Sequence, residues 1–231
     1  MLALEATGIA IAYRGAAGER ITAVDIDRLE AKPGRLTVIT GPSGSGKSTL
    51  LYLVAGIEKA ERGVIRWGDT AILSLSEAAR DAWRRRHLGF IFQNFHLIEE
   101  LSPRDNVLLP AWFERWSTRK LVPRAETLLE GLGVPLNRRR FAVLSRGEQQ
   151  RVAIARALLF DPPVILADEP TASLDREAGR TVITQLSALA HRDGRTVIAV
   201  SHDAELIAAA DETIRIERGR RVAAPAQEAA A

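Results

Sequence analysis

Residues 41–49 read GPSGSGKST and match the pattern G-x-x-x-x-G-K-[ST] of a phosphate-binding loop. The preceding LTVIT (Leu36–Thr40) is apolar and β-branched, as expected of a buried strand, and the following TLLYLVAGI can form a helix. In this order, a strand, a glycine loop and a helix aim backbone N–H groups and a positive helix end at phosphate oxygens. The stretch therefore predicts a nucleoside triphosphate site in an α/β fold.

Every residue of this loop is a candidate nucleotide ligand. Lys47 is expected to reach the β- and γ-phosphates, and the Ser48 hydroxyl is expected to coordinate Mg²⁺. A chance match in a glycine-rich turn is the alternative, but lysine, serine and a preceding strand together argue against it. The predicted loop ligands are Gly41, Pro42, Ser43, Gly44, Ser45, Gly46, Lys47, Ser48 and Thr49.

Composition limits the class of protein. The 231 residues, 46% of them hydrophobic, suit one soluble α/β domain with or without an insertion. No apolar run approaches the roughly 18–20 residues that span a bilayer, and the N-terminus has no basic leader. We therefore expect no direct membrane insertion. The absence of cysteine excludes disulfide and thiolate chemistry and suits a cytoplasmic location.

The basic residues do not point strongly to nucleic acid. The net charge is only +3, and short arginine clusters occur at Arg84–Arg86, Arg138–Arg140 and Arg218–Arg221. Such short runs more often cap helices or face solvent than form a nucleic-acid patch. Nucleic acid is therefore the less favoured partner.

Hydrophobic periodicity predicts an α/β core that a helical segment interrupts. Helices are predicted after Ser76, after Ser102-Pro103, and at Arg176–His191 and Ala204–Ala209. Strands are predicted at Leu2–Tyr13, Ile21–Leu29, Val64–Trp67, Leu88–Phe92, Val164–Ala167, Thr196–Val200 and Thr213–Ile216. We expect one domain over residues 1–223, a helical subdomain over roughly 94–160, and a flexible tail over 224–231.

A second motif, VILADEP at Val164–Pro170, ends a buried strand in two carboxylates. Asp168 can hold the Mg²⁺ shell, and Glu169 can orient or deprotonate a water for in-line attack on the γ-phosphate. Alone, Asp-Glu after an apolar run is common at strand ends. Combined with the phosphate loop, the pair indicates a nucleotide hydrolase.

A third motif, LSRGEQQRVAIARAL at Leu144–Leu158, resembles the signature of the nucleotide-binding subunits of ABC transporters. In that family, LSGGQ is followed by Gln-Arg and an alanine-rich helix. The resemblance extends from Tyr13 to about Gly219. Its other elements are Tyr13 as the adenine-stacking aromatic, the Q-loop glutamine Gln93, the D-loop Ser173-Leu174-Asp175 and the switch histidine His202.

The resemblance implies a P-loop NTPase core, a mixed sheet flanked by helices, with an antiparallel β subdomain and an inserted α-helical subdomain. Its ligands are ATP and Mg²⁺, and two subunits sandwich two ATP molecules as a homodimer. Ser145, Gly147 and Glu148 would contact the nucleotide of the partner, at the N-terminus of a helix predicted over Val152–Leu158. The implied catalytic residues are Lys47, Gln93, Glu169 and His202, and the implied metal ligands are Ser48, Gln93 and Asp168.

The signature departs from the consensus at two positions. Arg146 replaces the first glycine, and Glu148 replaces the usual glutamine, a familiar variant in the subfamily described next. Arg146 would either add positive charge near ATP or point to solvent, and the sequence leaves both open.

The stretch Phe92–Pro110, FQNFHLIEELSPRDNVLLP, resembles exporter-type ATPases of the lipoprotein-releasing, macrolide-export and cell-division group. This resemblance specifies a subfamily and not a substrate. It implies a separate integral membrane permease that holds the chain at the inner face of the cell membrane and extrudes lipoproteins, peptides or drugs.

Two other functions remain as alternatives. A soluble ABC-type ATPase acting on nucleic acid usually has a coiled-coil insertion or two cassettes, for which 231 residues leave no room. A degenerate regulatory cassette is disfavoured because Lys47, Asp168, Glu169 and His202 are all present.

Aromatic residues cluster just beyond Gln93, where the resemblance places the permease contact. We expect a subset of Phe95, Leu97 and Trp116 to be exposed for binding the permease. For Trp112 and Phe113, packing within the helical subdomain is an equally good interpretation.

Overall fold

The computed structural model describes residues 1–16, 18–113, 118–136 and 144–222. The strands in these ranges are β1 Leu4–Arg14, β2 Arg20–Ala31, β3 Leu36–Thr40, β4 Arg62–Trp67, β5 Thr70–Ala71, β6 Leu88–Ile91, β7 Val164–Asp168, β8 Thr196–Val200, β9 Glu212–Glu217 and β10 Arg220–Val222. The helices are α1 Lys47–Val54, α2 Glu77–His87, α3 Pro103–Trp112, α4 Thr118–Gly131, α5 Arg146–Leu158, α6 Arg176–His191 and α7 Ala204–Ala208.

A six-stranded mixed sheet positions the site. Its order is β10-β9-β3-β8-β7-β6, and all neighbours are parallel except β10 and β9. The register aligns Ile39, Val200 and Asp168 across three adjacent strands. The segments that leave these strands therefore emerge together at one edge of the sheet, where α/β proteins bind ligands.

A second sheet, β2-β1-β4-β5, is antiparallel throughout. Its inner face shares one hydrophobic core with α1 and one face of the mixed sheet. Trp67 fills the end of this core, and its indole N–H donates a 2.8 Å hydrogen bond to the carbonyl of Val54 at the end of α1. The antiparallel sheet thus holds the helix that follows the phosphate loop.

The helices α3, α4 and α5 form a separate hydrophobic core around Val107, Leu129 and Val152. Asn106, fully buried in α3, receives a hydrogen bond from the Ile98 N–H and donates to the carbonyls of Ile98, Leu101 and Ser102. This one amide satisfies the backbone of an irregular loop and fixes it to the helices. These helices lie within the range predicted as helical, although the limits of that subdomain remain a prediction.

The fold class is confirmed, and most predicted elements are present. Ser76 and Ser102 cap α2 and α3, and Pro103 occupies the first position of α3. The short strands β5 and β10 carried no sequence signal. The arginines at 138–140 and the tail at 224–231 lie outside the described residues.

One helix boundary was wrong. The helix expected at Val152 begins at Arg146, because Ser145 and Glu148 form a capping box. The spacing S-x-x-E is the sequence signal of this motif. The signature is therefore the first turn of a helix.

Within the described ranges, every helix is too short or too polar to cross a lipid bilayer.

Candidate nucleotide site

A cleft of about 700 Å³ opens at the carboxyl edge of β3, β7 and β8. Three residues of β2 also line it, and no sequence motif predicts them: Ile21, Thr22 and Ala23. The predicted site residues that line it are Tyr13, Gly41, Pro42, Ser43, Gly44, Gly46, Lys47, Ser48, Thr49, Gln93, Glu169 and His202. The structure thus brings together most of the predicted ligands from five separate parts of the chain.

Two glycines of the loop are needed because neighbouring backbone leaves no room for a side chain. A Cβ on Gly41 would lie 2.0 Å from the carbonyl oxygen of Ile216, and one on Gly46 would lie 2.1 Å from that of Ala23. Both have positive φ, 147° and 97°, which favours glycine. The loop is therefore fitted between β2 and β9.

Lys47 is folded back over the loop. Its Nζ donates 3.0 Å hydrogen bonds to the carbonyls of Gly41 and Pro42. An ammonium group has three donors, so the third remains for a phosphate oxygen in the cleft.

Asp168 is buried beneath the loop and receives two hydrogen bonds. The Ser48 hydroxyl donates to Oδ1 at 2.9 Å, and the Tyr52 hydroxyl donates to Oδ2 at 3.1 Å. Burial raises the pKa of Asp168, although both hydroxyls and the nearby Lys47 oppose the shift. Tyr52 was missed from the sequence, but its position four residues after Ser48 puts it on the same face of α1.

The oxygen donors here suit Mg²⁺. The Ser48 hydroxyl oxygen and the Asp168 carboxylate already lie side by side, joined by a hydrogen bond. A cation that replaces this hydrogen bond can be coordinated by both oxygens. The described residues hold no group of three or more His, Cys, Asp or Glu that could bind a metal alone. Mg²⁺ typically uses one or two carboxylates and completes its shell with phosphate oxygens and water, so this donor set fits. Gln93, exposed in the same cleft, offers a further amide oxygen.

Glu169 and His202 form a pair at the mouth of the cleft. Glu169 has a φ of 46°, and its N–H donates to the carbonyl of Val200 at 2.9 Å, which turns the chain sharply out of β7. Nδ1 of His202 donates to Oε1 of Glu169 at 3.1 Å; this tautomer follows from the carboxylate being an acceptor. Oε2 lies 3.0 Å from the same nitrogen but outside hydrogen-bonding geometry.

This arrangement leaves one oxygen of the Glu169 carboxylate without a hydrogen bond from the described residues. Oε2 is buried and accepts no hydrogen bond from the described residues. The His202 side chain is 75% exposed, whereas that of Glu169 is 13% exposed. The Glu169 carboxylate lines the open cleft, where a carboxylate can accept a proton from a water molecule.

The signature residues lie apart from this cleft and do not line it. The Ser145 Oγ accepts the N–H of Glu148 at 3.2 Å, and Glu148 Oε2 accepts the N–H of Ser145 at 2.7 Å. Gly147 is buried, and a Cβ there would lie 2.9 Å from Cβ of Ala178 in α6. Its lack of a side chain thus serves helix packing as well as the predicted approach to phosphate.

The exposed end of α5 offers hydrogen-bond donors. Ser145 and Arg146 are exposed, and within the described part of the chain the N–H groups of Arg146 and Gly147 have no acceptor. The first N–H groups of a helix attract anions. The signature can therefore bind a phosphate that belongs to another molecule.

Phe95 does not belong to the exposed subset that was expected among Phe95, Leu97 and Trp116. Phe95 is only 7% exposed, and Leu97 packs partly against the core of α3, α4 and α5. Trp112 and Phe113 are the exposed pair, with Phe113 84% exposed, so they do not pack that core. Trp116 lies outside the described residues. Composition could reveal the cluster but not which rings face inward.

Comparison with known proteins gives consistent matches. The family described as "ABC transporter" matches residues 24–172. The lipoprotein-releasing system ATP-binding protein LolD of Granulibacter bethesdensis is 38% identical over 96% of this chain and 97% of its own length. The macrolide export ATP-binding/permease protein MacB of Rhodospirillum rubrum is 41% identical over 87% of this chain. That alignment spans only 31% of the macrolide export protein, or about a third of its length.

The fold has a similar solved counterpart. The dimeric structure of MJ0796, a bacterial ABC transporter cassette, is 33% identical and superposes with a TM-score of 0.86 over 95% of this chain and 97% of that one. A second structure of that cassette is a dimeric post-hydrolysis state bound to ADP and Pi.

The buried charge of Asp168 predicts a pH-dependent stability difference. Because the pKa of Asp168 is raised in the folded chain, its contribution to stability is present at low pH and is lost as pH rises through that pKa. Asp168→Asn removes the charge, keeps one acceptor oxygen for the Ser48 hydroxyl and presents an NH2 group that can donate to the Tyr52 hydroxyl oxygen. It should therefore raise the melting temperature of the nucleotide-free chain at pH 7. We expect about 2–4 °C, the shift that roughly 1 kcal/mol produces in a domain of this size.

The measurement is thermal unfolding from pH 7 downward, with and without Mg²⁺ and ADP. The difference from wild type should shrink at lower pH, and the stabilisation that requires Mg²⁺ should disappear in the variant. Exposed Asp27→Asn is the matched control and should change neither. A destabilised Asp168→Asn chain at pH 7 would contradict the burial argument.

Proposed function

Because the chain belongs to the ABC transporter family, we propose that it hydrolyses ATP as a two-fold dimer and so drives a separate membrane permease. One observation carries the proposal. The loop, Gln93 and Glu169 line one cleft, and Ser48 of the loop bonds to the buried Asp168, while the donors at the start of α5 that have no acceptor among the described residues do not line it. In a two-fold dimer, the α5 end of each copy can face the cleft of the other, which closes two equivalent sites.

The residues of the cleft divide the chemistry. Lys47 donates its third N–H as a hydrogen bond to a phosphate oxygen. Ser48, Asp168 and Gln93 would hold Mg²⁺, which would neutralise charge on the β- and γ-phosphates. Glu169 takes a proton from the attacking water. His202 already gives Nδ1–H to Glu169, so its Nε2 donates to the γ-phosphate only when the ring carries both protons. Tyr13, 42% exposed at the cleft rim, offers its ring to the base.

The transport role is inferred from the relatives. The chain covers 97% of a protein named as the ATP-binding protein of a lipoprotein-releasing system. It covers only 31% of a protein named ATP-binding/permease. We infer that the permease is a separate polypeptide, that this chain lies on its cytoplasmic side, and that the cargo is an extruded lipoprotein, peptide or drug. ATPase stimulation by DNA or ribosomes would instead favour the nucleic-acid alternative.

We place the docking surface for that permease in a groove that Phe92, the residue before Gln93, helps to line. An apolar cavity of about 300 Å³ runs beside β6 and α5, and a second of about 410 Å³ lies beside the C-terminal turn of α2; Arg85 and Phe160 line both. Exposed Ile57 is in the first, and Arg86 and Arg124 are in the second. This combination fits a permease helix with apolar side chains on one face and carboxylates beside them.

Lys47 and Glu169 should fail in different ways. Lys47→Ala removes the ammonium facing the phosphates and should abolish both tight ATP binding and turnover. Glu169→Gln should bind ATP normally, lose turnover by about 10²-fold or more, and accumulate as a dimer with Mg-ATP, as measured by light scattering. Wild-type turnover in Glu169→Gln would refute the role of Glu169 as the base. A protein that stays monomeric with Mg-ATP would refute the closed dimer.

Mixing two inactive variants tests whether the site is shared between chains. Ser145→Asp keeps an N-cap but replaces the hydroxyl donor with a negative charge, whereas Lys47→Ala disables the cleft. A mixed dimer has one site built from the intact cleft of one chain and the intact signature of the other. Random pairing should therefore restore about a quarter of the wild-type rate. No recovery in the mixture would mean that each chain completes its own site.

The groove predicts a separable assembly defect. Ile57→Glu should prevent binding of the permease, because it places a charge in the apolar cavity, and should leave basal ATPase activity and dimerisation unchanged. Val64→Glu, at a similarly exposed position on β4, is the control. The readout is the integral membrane protein that co-purifies from native membranes with wild type. Its equal recovery with Ile57→Glu would place the docking surface elsewhere.

A further inference from the structure

Arg146 makes a contact that neither sequence interpretation anticipated. Its guanidinium lies 5.8 Å from the centre of the Phe95 ring, within the range of a cation–π contact. Arg146 is the first residue of α5 and directly follows Ser145, while Phe95 lies two residues after Gln93. A residue that replaces glycine therefore links the signature to the segment behind Gln93.

The same segment is held by α5 at a second point. Arg156, ten residues farther along that helix, donates hydrogen bonds to the carbonyls of Phe95 and His96. Arg156 is half-buried, and this burial lowers the pKa of its guanidinium. With ring contact near one end and backbone contact near the other, α5 and residues 95–96 are expected to move together.

From this segment, ring contacts lead back to the cation site. The His96 ring meets Phe92 edge-on at 5.1 Å, Phe92 stacks on Phe90 at 4.3 Å, and Phe90 lies 5.6 Å from Tyr52. The Tyr52 hydroxyl then donates to Asp168. Packed side chains, together with the main chain between His96 and Phe95, thus join the buried carboxylate of one site to the helix end that carries Ser145.

We propose that Arg146 is a positioning residue that couples the cation site of its own chain to the signature it offers to the partner. The proposal rests on the two-fold dimer proposed above. When Mg-nucleotide binds at Asp168 and Gln93, the segment at Phe95 shifts with it, and Arg146 carries Ser145 along. Occupancy of one site thereby adjusts the donors presented to the other, which is a coupling free energy between two sites.

A double-mutant cycle on ATP hydrolysis tests the contact. Arg146→Gln removes the charge at an exposed position, and Phe95→Leu keeps an apolar side chain but removes the ring. Each should lower kcat by about 2- to 5-fold, the scale of a cation–π contact, with KM little changed and the Hill coefficient for ATP closer to 1. The double variant should be no worse than either single one. Arg146→Lys should recover most of the loss.

The control for the ring is Phe95→Tyr, which keeps a π face and should behave as wild type. It also serves if Phe95→Leu proves unstable, because Arg146→Gln and Arg146→Lys then give the result against an intact ring. A change in KM alone would mean that Arg146 contacts nucleotide directly. Unchanged kinetics would mean that it only faces solvent, and multiplicative losses would mean that the two residues act separately. Each of these overturns the proposal.

These outcomes are distinct from failure of the proposed function. If the chain is not a dimeric ATPase, wild type will show no turnover and Glu169→Gln no ATP-dependent dimer. If only the coupling is wrong, wild type will hydrolyse ATP and Arg146→Gln in the Glu169→Gln background will still dimerise.

Discussion

The structure depends on one constraint: a phosphate-binding loop must leave its backbone N–H groups free for the ligand, so its neighbours have to hold it in place. Gly41 and Gly46 abut the carbonyls of Ile216 and Ala23. The turn between β9 and β10 adds a direct tie, since Gly219 donates to the Ser45 carbonyl at 2.9 Å and accepts from the Asp25 N–H at 2.7 Å. Both sheets therefore hold the loop, in addition to its internal bonds from Lys47 and from the Ser45 N–H to the Pro42 carbonyl.

The same edge of the sheet carries a cost in stability that function explains. Burial of Asp168 disfavours its charged form, and its two hydroxyl partners only partly offset the loss of water. A buried carboxylate without a cation is unfavourable, so binding of the proposed Mg²⁺ would recover free energy that the nucleotide-free fold lacks. Active sites commonly trade stability for function in this way.

The sequence was sufficient where chemistry is local and insufficient where it depends on packing. The loop, VILADEP and the helix caps each depend on contiguous residues, and the structure places most of the loop and Glu169 of VILADEP in one cleft. Tyr52, the turn at Gly219 and the inward orientation of Phe95 depend on which distant segment lies alongside. The capping box at Ser145 and Glu148 lies between these cases, because its spacing was present but was not recognised as the start of α5.

The two departures from LSGGQ make sense as a pair. Arg146 adds one positive charge and Glu148 adds one negative charge at neighbouring positions of the same helix turn, so the signature remains neutral. The Glu148 carboxylate accepts a hydrogen bond from the Ser145 N–H. This bond turns the carboxylate away from the open end of the helix. Arg146 lies over Phe95, which turns its charge toward its own chain. In the proposed dimer, the end of α5 therefore meets phosphate with a hydroxyl, with N–H groups that have no acceptor among the described residues, and with the helix dipole.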